Sequence, residues 1–361
     1  MARIVINGKF LGAGLNGVHR TAAHYATHLI AQGKAAGHDV TLLSPRPFAD
    51  PLFPLLVPEI CSGFFGSGQG WEMLTLPRAA KDALLVSFCN LGPILHKNAV
   101  VMIHDAQTFL YPEDYTGRQA TAYRALLPRI AQRARRVLTV SEFSRRSLAD
   151  FKIGHKDQIS VVHNGTDHLS QTKADPSIFQ AHNIVPKRYV MTLGSTKSYK
   201  NIARLFDVFS QGNVAGLSLV VAGGPGKAAY IESGIRPPDG TIFTGFVLDA
   251  ALRALYENAA IFAFPSLTEG FGLPPVEAMH SGVPVVIANA GALPEVCEDG
   301  AIAVDPHDSQ PWKAAMERIQ SDAAFQNALV ARGIKRAGQL TWDNAGKTLW
   351  SHIDPLLKGP S

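Results

Sequence analysis

Short apolar runs bounded by turn residues recur along the first half of the chain, at 3–7, 39–43, 84–88, 100–104 and 136–140. Runs this short, without polar alternation, predict strands covered on both faces, as in parallel sheets. Between them the stretches 17–32 and 121–134 carry apolar residues at helical spacing. The half therefore reads as β-α alternation. The second half repeats the scheme, with strands predicted at 189–193, 217–222, 242–244, 261–264 and 283–287 and helices at 201–209 and 250–257. The fold class expected is α/β, with two Rossmann-like doubly wound domains. The polar stretch 166–186, containing Asp175-Pro176 and Val185-Pro186, is the best joint between them. The expected domains are 1–170 and 171–340, followed by 341–361, in which 342–357 reads as a helix. Open α/β sheets bind ligands at the carboxyl ends of their strands, so two such domains facing each other make a central cleft.

A chain of 361 residues with 46% hydrophobic content can fill two cores, and 17% charged residues with no repeated tract exclude a disordered or fibrous protein. Cys61, Cys89 and Cys297 lie far apart, form no C-x-x-C pair and are expected as buried thiols. No stretch is long and apolar enough for a membrane span, and residues 1–7 are too short for a signal peptide, so the expected location is the cytoplasm. The net charge of +5 is uneven. Residues 1–170 hold 18 Lys and Arg against 12 Asp and Glu, and eight arginines crowd 118–146 around one acid, Glu142. Such a patch seeks phosphates, anionic lipid or nucleic acid.

If 121–137 is helical, Tyr123, Leu127, Ile130, Ala134 and Val137 form an apolar stripe, Arg129, Arg133 and Arg136 line another face, and Pro128 is placed to kink it. That basic face is either simply solvated or docks on an anionic membrane surface. The stretch 45–71 is different, with five prolines, four glycines and Phe48, Phe53, Phe64, Phe65 and Trp71 interspersed. A long aromatic loop of this kind is functional or mobile.

The strongest chemical signal is Phe264-Pro265-Ser266-Leu267-Thr268-Glu269-Gly270-Phe271-Gly272-Leu273-Pro274-Pro275-Val276-Glu277-Ala278-Met279. A strand ends, a glycine-rich turn follows and a helix begins, with Pro275 suited to the first helical position and Glu277 to the first turn. Free amides there make an anion site fit for a phosphate. Gly270 and Gly272 let backbone approach a ligand. On one continuous helix the two acids would lie about 80° apart, but the intervening Gly and Pro break it, so Glu269 and Glu277 can bracket one ligand.

Glu269 and Glu277, with seven residues between them, resemble the E-x7-E signature of family 4 glycosyltransferases, which are retaining enzymes of the GT-B fold. Supporting matches are Gly291-Ala292-Leu293-Pro294-Glu295 with Gly300, Gly245-Phe246-Val247, Asn164-Gly165, the run Val140 to Ser144, His104-Asp105, and Gly194 with Lys200-Asn201. The resemblance spans nearly the whole chain. It implies that the first domain binds acceptor, the second binds a nucleotide sugar, and the last helix crosses back onto the first domain. It further implies that Glu277 holds the ribose hydroxyls and Glu269 the donor-sugar hydroxyls, roles a carboxylate fills by accepting from adjacent O–H groups. Lys200, with amides of Gly270, Phe271, Gly272 and Leu273, would stabilise charge growing on the leaving diphosphate. Phe246 and Val247 match the base-binding turn. Many relatives carry Arg after the glycine where Ser195 follows Gly194 here, so one phosphate-neutralising cation is lost at that position, and Lys197 either reaches the diphosphate in its place or is an exposed loop lysine. By the same resemblance His104, closing an apolar strand so that its side chain emerges at the cleft, contacts the donor sugar and polarises it, the leaving phosphate taking the acceptor proton. Asp105 caps the following segment.

Gly12-Ala13-Gly14-Leu15-Asn16-Gly17 spells G-x-G-x-x-G, yet a nicotinamide site needs those glycines directly after the first strand and an acid closing the second. Here Gly8 to Leu11 intervene and Asp39 starts the second strand. The resemblance instead places Gly14 and Gly17 near the donor phosphates and Asn16 near the acceptor. Asn90, Gly92 and His104 belong on the acceptor side. No D-x-D pair falls in a strand-end loop, so no metal and no cofactor are expected.

The resemblance therefore implies a retaining hexosyltransferase of polysaccharide or lipopolysaccharide synthesis. Residues 6–10, 17–20 and 90–93 look like bacterial mannosyl or rhamnosyl transferases, which favours GDP-mannose as donor. The acceptor is a glycan or polyprenyl-diphosphate-linked glycan, with the protein possible at the inner membrane face and no nucleic acid as partner. A silent nucleotide-sugar binder and a nicotinamide oxidoreductase are the rival classes.

Overall fold

The computed structural model describes residues 1–12, 17–63, 66–212 and 214–358, and the structural statements below concern these. The chain divides into two compact units, one made of Met1–Asn164 with the segment from Trp342 onward, the other of Gly165–Thr341.

The first unit holds strands β1 (Arg3–Asn7), β2 (Asp39–Ser44), β3 (Glu59–Ile60), β4 (Leu84–Ser87), β5 (Ala99–Met102), β6 (Arg136–Thr139) and β7 (Ile159–Val161) in one parallel sheet of order β3-β2-β1-β4-β5-β6-β7. The second unit holds β8 (Tyr189–Leu193), β9 (Ser218–Ala222), β10 (Ile242–Gly245), β11 (Ile261–Phe264), β12 (Val285–Ala288) and β13 (Ile302–Val304), ordered β10-β9-β8-β11-β12-β13 and again all parallel. The fold class is as expected: two Rossmann-like, doubly wound units. Strand order reverses between β1 and β4 in one sheet and between β8 and β11 in the other, the switch points at which such sheets bind ligands.

The central strands are buried along their length because helices cover both faces. The strands not predicted, β3, β7 and β13, are all sheet edges of two or three residues and partly exposed. β3 and β7 lack the unbroken apolar run that marks an interior strand, and the apolar run of β13, Ile302-Ala303-Val304, is too short to stand out.

The helix Gly17–Ala35 packs against the helix Trp342–Leu357, both in the first unit. Their contact needs Gly346, where a Cβ would stand 2.6 Å from the His28 ring. Trp342 stacks on His24 at 4.3 Å. Just before the chain leaves this unit, the Tyr25 hydroxyl sits among Val162 O (3.0 Å), His163 O (3.1 Å) and Asn164 Oδ1 (3.0 Å). In the second unit the Thr166 amide and hydroxyl both donate to Leu340 O, at 2.9 and 3.1 Å. The stretch 166–186 lies inside this unit and includes the short helix Ser177–Ala181.

The basic helix is Gly117–Arg133 and runs unbroken through Pro128. It ends before Arg136 and Val137, which belong to β6, so the expected stripe and arginine face lose those members. Arg136 donates to Ser160 Oγ, Arg135 to Asn98 and Leu356 O, and Arg145 pairs with Glu142, so part of the basic cluster is structural. In the aromatic stretch Phe53 and Trp71 are core residues, while Phe64 and Phe65 lie outside the described residues. All three cysteines are free thiols. Cys297 is buried, whereas Cys61 and Cys89 are only half-buried, because they sit on loop segments and not inside a sheet. No described helix is long and apolar enough to cross a membrane.

Candidate functional site

In the second unit the loops after β8 and β11 are stitched together across the switch point. Leu267 N donates to Tyr199 O (2.7 Å), and the Asn201 amide donates to Pro265 O (3.2 Å) and Pro306 O (3.0 Å). This holds Lys200 Nζ 2.6 Å from Glu269 Oε1, with the lysine 27% and the carboxylate 12% exposed. The ammonium also lies 5.4 Å from the Tyr199 ring and 5.5 Å from that of Phe264, two weakly attractive aromatic faces. Two residues given separate roles in the sequence analysis thus meet, and the lysine's charge is fixed at a strand end.

Glu269 sits in the turn and Glu277 on the helix Leu273–His280, with Gly272 between them at φ +97°. Leu273, not Pro275, opens that helix, so Glu277 falls in its second turn, away from the free amides. Its carboxylate is held by side chains instead. Oε2 accepts from the Tyr256 hydroxyl (3.2 Å), and Oε1 lies 3.4 Å from His168 Nε2. Burial and then the Glu277 charge push the Tyr256 phenol well above its ordinary range, so it remains a donor. Neither Tyr256 nor His168 carries a local sequence signal that could have marked it.

Gly291, at φ +61°, lies against the Glu269 backbone, where a Cβ would come within 2.8 Å of Glu269 N. Ala292 N donates to Glu269 O (3.3 Å). The G-x-x-P-E run is therefore the wall behind the Glu269 turn. Gly194 meets Gly223 and Gly224 backbone to backbone, with a Cβ at Gly194 falling 2.4 Å from Gly223 O. Ser195 Oγ accepts from Lys197 N (3.2 Å), and Lys197 Nζ lies 5.5 Å from the Tyr199 ring. At the end of β10, Gly245 turns at φ +63° and presents Phe246, 85% exposed, beside half-buried Val247. Gly270 and Phe271 are buried in the turn.

In the first unit His104 is buried, at 6% exposure, and does not emerge as expected. Its Nε2–H donates to Phe88 O (2.7 Å), and its backbone amide donates to Asn90 Oδ1 (2.8 Å). A carbonyl only accepts, so Nε2 carries the proton and Nδ1 is the acceptor. Burial lowers the imidazole pKa and keeps it neutral. Asn90 (φ +64°) and Gly92, whose Cβ would stand 3.0 Å from Ser87 Oγ, shape the turn that holds His104. Asp105 Oδ1 accepts from Gln107 N (3.0 Å), a local cap. Gly17 opens its helix, while Gly14 and Asn16 lie outside the described residues.

Sequence reasoning missed a cavity of about 220 Å³ in this unit, lined by Lys9, Glu72, Gln69, Tyr123, Phe88 and others. Among the described residues no group of three or more His, Cys, Asp or Glu side chains is placed to hold a metal.

Residues 15–168 match the family model described as Glycosyltransferase Family 4, and residues 175–336 match that of Glycosyl transferases group 1. The O-antigen chain mannosyltransferase B of Escherichia coli is 30% identical over 260 residues, 69% of this chain and 68% of its own. The chain belongs to family 4 of the glycosyltransferases. Another relative, an O-antigen chain mannosyltransferase of Salmonella typhimurium, is 29% identical over 231 residues, 63% of this chain and 62% of its own. Among solved structures, sucrose-phosphate synthase from Thermosynechococcus elongatus superposes with a TM-score of 0.72 at 18% identity, covering 100% of both chains. HepE of Anabaena, solved with UDP-glucose, gives 0.70 at 19% identity over 98% of this chain and 100% of its own. At such identities the structures establish the fold alone, the two Rossmann-like domains of the GT-B class.

Proposed function

We propose that this family 4 glycosyltransferase moves a mannosyl group from GDP-mannose to a glycan or lipid-linked glycan acceptor, with retention and without a metal. The observation that carries it is the Lys200–Glu269 pair at 2.6 Å, set across the β8–β11 switch point. The two E. coli and Salmonella relatives, both described as O-antigen mannosyltransferases, supply the sugar and the polysaccharide context.

On this reading Lys200 and the amides of Gly270 to Leu273 bear the diphosphate and stabilise the charge it gains as the glycosidic bond breaks. Glu269, freed from part of its lysine contact by the incoming phosphate, accepts from the sugar hydroxyls. Glu277, already oriented by Tyr256, accepts from the ribose, and exposed Phe246 gives the base a face to stack on. His104, neutral with Nδ1 as acceptor, polarises a sugar hydroxyl and does not serve as general base. The acceptor proton leaves on the departing phosphate. Retention, metal independence and the acceptor-side roles of Asn90 and Gly92 follow the family resemblance.

Isothermal titration of the purified protein with GDP, UDP, dTDP and NAD in EDTA tests this directly. The expected result is binding of GDP alone. Binding only of NAD, or only after Mg²⁺ is added, would overturn the assignment.

A further inference from the structure

If Lys200 turns from Glu269 to an incoming phosphate, the turn that carries Glu269 needs a support other than the lysine. The backbone supplies one. A Cβ at Gly291 would stand 2.8 Å from Glu269 N, Ala292 N donates to Glu269 O (3.3 Å), and a Cβ at Gly272 would meet Leu293 Cδ2 at 2.5 Å. These braces come from the start of the helix Leu293–Cys297 and the two residues before it, so the placement of that helix sets the placement of the turn. A helix of five residues is not stable by itself, and its last carbonyls have no partner within it.

The far end of this helix is gathered by one side chain. Arg336, on the helix Ala323–Ala337, donates from Nε to Val296 O (2.8 Å) and from Nη2 to Glu295 O (3.4 Å). Its Nη1 donates to Gln339 Oε1 (2.9 Å) and lies 2.9 Å from Glu298 Oε1, with the arginine 11% exposed. A planar fork can serve two successive carbonyls and a carboxylate at once, whereas an ammonium offers only a point charge, and positive charge suits a helix C-terminus. Glu298 stands at φ +48° and ψ −135°, a backbone that a residue with a side chain keeps only where its surroundings enforce it. The contact with Arg336 is one such constraint. Behind it Gly300 and Gly333 meet closely, a Cβ at Gly300 falling 3.0 Å from Gly333 Cα, so the helix that carries Arg336 is itself firmly seated. Burial outweighs the nearby guanidinium and pushes the Cys297 thiol up to about 12, so that thiol stays neutral and Glu298 answers the arginine's charge. Arg332, one turn earlier, donates instead to Asp299 O (2.8 Å), past the end of Leu293–Cys297.

We infer that Arg336 is a positioning residue: by gathering the carbonyls of Glu295 and Val296 it holds the helix Leu293–Cys297 as a strut, and the strut holds Glu269 against the transferred sugar. The inference rests on the transferase reading for the sugar, but the strut can be tested without any ligand. The full chain and its Arg336→Ala, Arg336→Lys and Arg332→Ala variants are compared by hydrogen exchange and by calorimetric titration with GDP and GDP-mannose in EDTA. In Arg336→Ala, exchange over 267–272 and 291–297 is expected to quicken about tenfold or more while β9 and β10 stay unchanged. GDP-mannose should bind about fivefold more weakly or worse, and GDP, which lacks the sugar, within about twofold of the wild type. Arg336→Lys keeps the charge without the fork and should show the same selective loss in smaller measure, even if the alanine variant fails to fold; Arg332→Ala should show none. Unchanged exchange over 267–272 in both Arg336 variants, equal weakening of GDP and GDP-mannose, or the same selective loss in Arg332→Ala would overturn the inference. Failure of the transferase reading shows separately, as a wild type that binds neither nucleotide, and the exchange rates then still decide whether the strut exists.

Discussion

Each unit sets a lysine against a glutamate at its own switch point, Lys9 with Glu72 at 2.7 Å and Lys200 with Glu269 at 2.6 Å. The distances barely differ; the surroundings do. In the second unit the carboxylate sits in a glycine-rich turn and the lysine rests on two aromatic rings. In the first, an asparagine, a glutamine and a cavity enclose the pair, and the carboxylate is deeper. A pair held by a turn can exchange partners when a phosphate arrives. A pair locked by two amides keeps its geometry. The same two residue types thus make an exchangeable contact in one unit and a fixed one in the other.

The sharpest way to break this contrast is Lys200→Ala. If the second-unit pair carries the diphosphate, turnover falls by about 10²–10³-fold in a steady-state assay with saturating acceptor. A loss under about fivefold, roughly 1 kcal/mol, would count against it. The next test concerns the frames. Leu349 is fully buried in the helix Trp342–Leu357, so Leu349→Ala is expected to cost about 2–5 kcal/mol. Hydrogen exchange should quicken in β1 and β4 and stay unchanged in β8 and β11; equal quickening in both sheets would show that the units do not stand apart. The smallest effect belongs to Tyr256→Phe, which removes one hydrogen bond from Glu277. Calorimetry should show nucleoside diphosphate bound about fivefold more weakly, roughly 1 kcal/mol, with turnover at saturation unchanged. No change in affinity would mean that His168 alone positions the carboxylate.

What could be read from the sequence follows the same divide. The interior strands announce themselves because burial on both faces demands unbroken apolar runs, and β1, β8 and β11 begin and end as predicted. The edges β3 and β7 do not, since an exposed or partly exposed strand of two or three residues leaves no such run, and β13, though apolar throughout, is too short to stand out. Glu269 and Glu277 were legible because they lie in one dense local motif, and Lys200, 69 residues from Glu269, only through the family resemblance of Gly194 with Lys200-Asn201. Glu72 was not, being 63 residues from Lys9 with no shared pattern, although the aromatic and glycine-rich stretch that ends beside it marked the region. His104 was read as emerging at a strand end, and its burial was not legible because the turn at Asn90 that draws it inward is set by long-range contacts.

The helix Trp342–Leu357 belongs to the first unit but follows all of the second in sequence. During synthesis Gly165–Thr341 is a contiguous stretch that can complete its own sheet as soon as it has left the ribosome. The earlier-made unit must wait with the apolar face of Gly17–Ala35 uncovered until the last helix arrives. A ribosome moving at about 5–20 residues per second leaves that face exposed for on the order of ten seconds or more. The part of the chain made first is the part finished last, and it is during this interval that chaperones have most to protect.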